Sequence, residues 1–194
     1  MSRSMRNFLA MLTMLVSVSA NAATDTYGTL LAGSYQPADP FASLTYTNVG
    51  NIYSFTLSAF DLNSIFTTGA FIGSLAVDAS NQPIVSNVSG GAPVSVSSGG
   101  GPTGIFDFRF DLTGPKQARL TALETVSWYA TFSQPVSLTS SSFAMHVQGL
   151  TEGQGGSAWY TPTPQVPEPE TYALMLVGLG LLGFTARRKN SFTV

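Results

Sequence analysis

Phe106-Asp107-Phe108-Arg109-Phe110-Asp111 sets aromatic rings and charged side chains on alternate positions. A chain can bury the first set and wet the second only where successive side chains point to opposite sides, which is the geometry of a strand and not of a helix. The same period recurs along the chain. Tyr53, Phe55 and Leu57 alternate with Ile52, Ser54, Thr56 and Ser58; Trp128, Ala130 and Phe132 with Tyr129 and Thr131; Phe143, Met145 and Val147 with Ala144, His146 and Gln148. Turn signals stand between these runs, at Gln36 to Pro40, Val49-Gly50-Asn51, Ser80 to Pro83, Gly90-Gly91, Gly99 to Gly104 and Gly114-Pro115. Short strands at this spacing predict an all-β fold, an antiparallel β-sandwich of about eight to ten strands. Lys116 to Val126 and Ser58 to Thr68 read as either a helical turn or a loop. Thr151 to Val166 reads as a last strand near Ser157 to Thr161 followed by an extended linker.

Charged residues make up only 9% of the 194 residues, against a usual ~25%, so the wet face of such a sheet must be built from Ser, Thr, Asn, Gln and Gly. Thirteen Phe, seven Tyr and a formal charge of -2 separate the chain from disordered sequences. With no cysteine there is neither a disulfide framework nor a thiolate metal site. Between the two ends the only cations are Arg109, Lys116 and Arg119, too few for the basic face that a nucleic-acid groove needs. Nucleic acid is therefore not an expected partner.

Both ends are apolar, for different reasons. Arg3 and Arg6 precede an apolar run from Phe8 to Val18, and Ala20-Asn21-Ala22 supplies a small-x-small site. These are the parts of a secretory signal peptide, a signal helix cleaved after Ala22. At the other end, the fifteen residues from Tyr172 to Ala186 make a helix of roughly 22 Å, short of the ~30 Å hydrocarbon core. Its flanks still favour a short transmembrane helix: Tyr172 suits the interface, and Arg187, Arg188 and Lys189 form a stop-transfer end whose long stems reach water. Gly178-Leu179-Gly180-Leu181-Leu182-Gly183 spells G-x-G-x-x-G, but prolines precede it and no βαβ unit can follow. Gly178, Gly180 and Gly183 read instead as close-packing points of the anchor. The expected domains are a signal peptide over 1–22, a β-sandwich ectodomain over 23–161, a Pro-rich linker over 162–171, and the transmembrane helix with its basic end over 172–189.

Val166-Pro167-Glu168-Pro169-Glu170, the Gly-rich helix and Arg187-Arg188-Lys189, in that order, closely resemble the PEP-CTERM sorting tail of Gram-negative exported proteins. The resemblance implies a partner, an exosortase-type processing enzyme, with Pro167, Glu168 and Pro169 as its recognition site. It also implies a sequence of locations: exported, anchored in the inner membrane with the body outside the cytoplasm, then at the cell surface or extracellular after processing. An ordinary tail anchor with a proline-rich spacer would have the same physical chemistry. Gly50 to Leu57 is similar to the aromatic strand of the FxDxF subgroup of these proteins. Phe55 takes the closing position, with Asn51 and Tyr53 where the subgroup has Phe and Asp.

The body offers little chemistry. Its sole histidine, His146, falls on the wet face of a strand, so a nucleophile triad and a His-rich zinc site both lack partners. Asp107 and Asp111 lie about 13 Å apart at ~3.3 Å per residue, beyond the spacing of glycosidase acid pairs. With Arg109 between them they read as a solvated charge row. An acid pair drawn from different strands would make a hydrolase, which the sequence does not mark. No D-x-[DN]-x-[DN]-G loop is present, and Thr45 and Thr47 are too brief a run for a flat ice-binding array. The expectation is a non-enzymatic envelope or matrix protein with no catalytic residues, metal or cofactor, and with exopolysaccharide as a possible partner. The alternative is a carbohydrate-binding or adhesive module contacting its ligand through Tyr129, Trp159 and Tyr160.

Overall fold

The computed structural model describes residues 21–66, 69–102, 104–164 and 175–179. Ten strands run in chain order: β1 Asn21–Ala32, β2 Ala42–Val49, β3 Ile52–Ala59, β4 Phe71–Val77, β5 Ile84–Gly90, β6 Ser95–Gly100, β7 Phe106–Asp111, β8 Thr125–Thr131, β9 Phe143–Gln148 and β10 Ser157–Pro162. A four-residue helix, α1 Leu62–Ile65, follows β3, and a short 3-10 turn at Lys116–Ala118 interrupts an otherwise irregular run up to β8. Both ambiguous segments thus contain a helical turn set in a loop.

The strands form one antiparallel sheet in the order β5-β8-β3-β2-β1-β10-β9-β4-β7-β6. Its two edge strands, β5 and β6, approach each other, so the sheet is a nearly closed barrel. This corrects the two-sheet sandwich, and the reason lies in β1. Residues Asn21 to Tyr27 of that strand pair with β2, while Tyr27 to Ala32 pair with β10, with irregularities between Tyr27 and Thr29 and between Leu30 and Ala32. A bulge adds bend and twist, and here it lets one strand turn the corner that would otherwise divide two sheets.

The core holds the inward set of the alternating runs except Phe106, which packs with Ala76 and Ala144 in a separate small cluster. Phe55, Leu57, Phe108, Phe110, Trp128, Ala130, Phe143, Met145 and Val147 are all at or below 1% exposure. Phe55 stands at the middle, stacked on Trp128 at 5.1 Å and on Tyr53 at 5.8 Å, with Phe110, Phe143 and Tyr46 tilted or edge-on around it. Offset and edge-to-face contacts of this kind add to the burial of the rings themselves.

Outside β1, β2, β3 and β8 the barrel presents hydroxyls in place of charge. Thr24 bonds Thr45 at 2.9 Å, Thr56 bonds Ser127 at 3.0 Å and Ser58 bonds Thr125 at 3.0 Å. Thr45 and Thr47 therefore belong to a wider Ser/Thr face, assembled from strands far apart in the chain.

The chain divides into two units, Met1–Pro162 and Thr163–Val194. Among the described residues no helix is long and apolar enough to cross a membrane. That finding corrects the expected transmembrane helix over 172–189 and, with it, the inner-membrane anchoring. An apolar run of roughly 22 Å is the physical reason such a span falls short. Of this stretch the structure describes a helical segment at 175–179, in which Met175, Leu176, Val177 and Leu179 are exposed and Gly178 has open space where a Cβ would stand. Tyr172, Gly180, Gly183, Arg187, Arg188 and Lys189 lie outside the described residues, as do Pro167, Glu168 and Pro169. Most of the signal peptide lies outside them too; Asn21 and Ala22 open β1 and pair with Asn48 and Thr47.

Candidate functional site

The sugar-stacking candidates separate at once. Trp159 and Tyr160 are consecutive on β10, so the pleat sends one out and the other in. Tyr160 is fully buried, its ring edge-on to Phe41 at 4.9 Å and its hydroxyl donating to the Tyr35 carbonyl at 2.8 Å. Burial raises its hydroxyl pKa well above the ordinary value, and it cannot meet a ligand from solvent. Tyr129 is 43% exposed on β8, with β3, β2 and β1 between it and β10. The three are therefore not one site.

Trp159 has a different neighbour, His146. The two are register partners on β10 and β9, and their rings stack at 4.3 Å with an interplanar angle of 4°. Since adjacent strands lie about 4.8 Å apart, two side-by-side rings at that separation stand out from the sheet like neighbouring plates. Trp159 also packs against a small buried cluster of Ala76, Phe106 and Ala144, which holds the stack in place.

The register continues across the sheet. His146 pairs with Ser74 of β4, Ser74 with Asp111 of β7, and Asp111 with Ser95 of β6. Trp159, His146, Ser74, Asp111 and Ser95 thus form one row spanning about 19 Å at ~4.8 Å per strand. Trp159, His146, Ser74 and Asp111 of this row, with Arg109, line a groove of about 600 Å³. Gly73 extends its floor: a Cβ there would stand close against the Gln148 side chain, which lies across it.

Arg109 and Asp111 form the far wall. Arg109 Nε donates to Asp111 Oδ1 at 2.6 Å and Nη1 to the Gly99 carbonyl at 3.3 Å, while Ser97 Oγ donates to Asp111 Oδ2. Of the expected charge row only Arg109 and Asp111 pair; Asp107 lies apart and accepts the Ala79 amide at 3.0 Å. Gly99, Gly100 and Gly101 also line the groove, and Gly99 and Gly100 belong to β6 instead of a free loop.

Burial first, and then the Arg109 charge, lower the His146 pKa from 6.5 to about 4. The imidazole is neutral at pH 7, and the sign of its linkage follows. An unfolded chain takes up this proton near 6.5 and the folded one only near about 4, so its contribution to stability is complete above about 6.5 and is lost as pH falls toward about 4. The expected loss is about 1–2 kcal/mol, reduced from the full linkage because the ring is partly open to water. Denaturant melts of the wild type and His146→Gln between pH about 7 and about 4 check this: the pH dependence attributable to His146 should vanish in the variant.

A second groove, of about 420 Å³, is lined by Tyr46, Asn48, Tyr53 and residues 136–140. Nearby Asp25, 6% exposed, accepts from Ser140 Oγ at 2.6 Å. Among the described residues no group of three or more His, Asp or Glu could hold a metal.

Residues 165–189 match the PEP-CTERM protein-sorting motif. The chain is an exported protein bearing that sorting signal, and the motif implies processing by an exosortase-type enzyme. No curated protein matches the chain. A solved structure described as "pH-induced modulation of Streptococcus parasanguinis adhesion by Fap1 fimbriae" is similar at 9% identity and a TM-score of 0.35, over 77% of this chain and 98% of that one. A likeness at that level carries no argument about fold or function.

Proposed function

We propose that this protein is a non-enzymatic component of the cell surface or extracellular matrix, delivered there by its sorting tail and working among exopolysaccharide. The observation that carries the reading is the sorting motif at 165–189, which begins just beyond the boundary between the units at Pro162 and Thr163. Pro167-Glu168-Pro169 is the segment the exosortase-type enzyme would recognise, and the unit before it is the cargo.

The groove chemistry supports the non-enzymatic part. A general base works best with a pKa near the working pH and a proton within reach. His146 titrates near about 4 and stacks on Trp159. Asp111 is occupied on both oxygens by Arg109 and Ser97. The hydroxyl-rich outer face suits a hydrated polymer matrix, since it stays wet without fixed charge.

The test is the intact mass of the protein recovered from the surface of cells with an active exosortase. The wild type should lack the mass of its tail, whereas Glu168→Ala should keep it. A wild-type protein still carrying an uncut tail in those cells would overturn the reading.

A further inference from the structure

We propose that the groove on the outer face of β10, β9, β4 and β7 binds a neutral polysaccharide, one sugar ring lodging between the His146 imidazole and the Arg109–Asp111 pair. The inference rests on the surface-protein reading only for where such a polymer is met; the site itself stands on geometry.

The two walls of the groove stand on the strands either side of β4. His146 and Asp111 are both register partners of Ser74, which puts their backbones about 9.6 Å apart, two strand spacings. Ser74, the small residue between them, is nearly buried and lines the groove from below. Its lining reaches from Trp159 on β10 to Asp111 on β7, about 14 Å at three strand spacings, so it suits a chain of sugars better than one.

The walls have the chemistry of sugar recognition. One face of the imidazole is backed by Trp159, and the other looks along the row toward Ser74. A flat ring held rigid in this way offers an apolar plane to the C–H face of a pyranose. Opposite it, the guanidinium keeps N–H donors beyond those given to Asp111 and Gly99, and carboxylate oxygens keep lone pairs beyond the bonds they accept. A donor fork beside an acceptor fork fits neighbouring hydroxyls, each of which both donates and accepts.

Charge decides the class of polymer. Arg109 and Asp111 cancel, and the imidazole adds nothing at pH 7. A uronate or sulfated chain would find the groove's only cation already paired with Asp111. A neutral chain loses nothing by entering.

The experiment titrates the full chain with linear neutral hexaoses of glucose, mannose, galactose and N-acetylglucosamine, and with hexagalacturonate as the anionic probe. Tryptophan fluorescence reports the site, because Trp128 is sealed in the core at 1% exposure and Trp159 forms part of the groove. At least one neutral hexaose should give a saturable change, weakened about tenfold or more in His146→Ala, as loss of a stacking plane and its neighbouring contacts requires. Thr113→Tyr, an exposed rim position, should block binding without touching the core, and Tyr129→Ala should leave it intact. Thermal melts confirm that the variants are folded. No saturable response to any neutral hexaose, a preference for hexagalacturonate, or equal binding by the folded His146→Ala and Thr113→Tyr proteins would overturn the proposal. None of these outcomes bears on tail processing, which the mass measurement reads separately.

Discussion

Phe55→Ala should lower the unfolding free energy by about 3–5 kcal/mol, the range for emptying a buried phenylalanine site. Phe55 is fully buried, and its ring meets Tyr46, Tyr53, Phe110, Trp128 and Phe143, which come from β2, β3, β7, β8 and β9. Truncation therefore strips contacts from both sides of the barrel at once. Those neighbours are held by their own strands and cannot close the void, so the cavity cost adds to the lost transfer energy. Against a usual total of about 5–15 kcal/mol, the variant should be near the edge of folding. A guanidinium melt reads this as a lower midpoint at unchanged slope. A loss below about 1 kcal/mol would mean that the ring is not central to the core.

Tyr160→Ala should cost a similar amount, about 3–5 kcal/mol, and for a reason that matters to function. Its ring packs with Phe41 and Phe66, and its hydroxyl reaches the Tyr35 carbonyl. Tyr160→Phe keeps the ring and gives up one buried hydrogen bond, so it should lose only about 1 kcal/mol. The pair of melts separates packing from the bond. Trp159→Ala, one position earlier, should destabilise less than Tyr160→Ala, because Trp159 is only partly buried. An equal loss for the two would contradict the opposed faces of β10.

The strands legible in the sequence were those with one face in the core and one in water. β3, β7, β8 and β9 each read as alternation because their outward residues are polar or small. Others escaped for separate reasons. β4 is buried along its whole length, since the outer side chains of β7 and β9 cover Ser74 and Ala76, so it shows no alternation. β5 and β6 are edge strands without a buried face, and β6 is Ser and Gly apart from Val96. In β1 the irregular pairing after Tyr27 and Leu30 breaks the period within a single strand.

By itself the sequence determined the strand character of the body, its aromatic core, the scarcity of charge, and the sorting tail. Each of these is local: alternation acts between nearest neighbours, and a processing enzyme reads a linear segment. It also contained the rule that Trp159 and Tyr160 cannot share a face, though not which of them points inward. Tertiary structure alone decided that the strands close into one barrel and that His146 has a partner. The groove depends on register among strands as far apart as Ser74, Asp111, His146 and Trp159. Pairing at that range is set by burial of the whole core, and no short stretch of sequence records it.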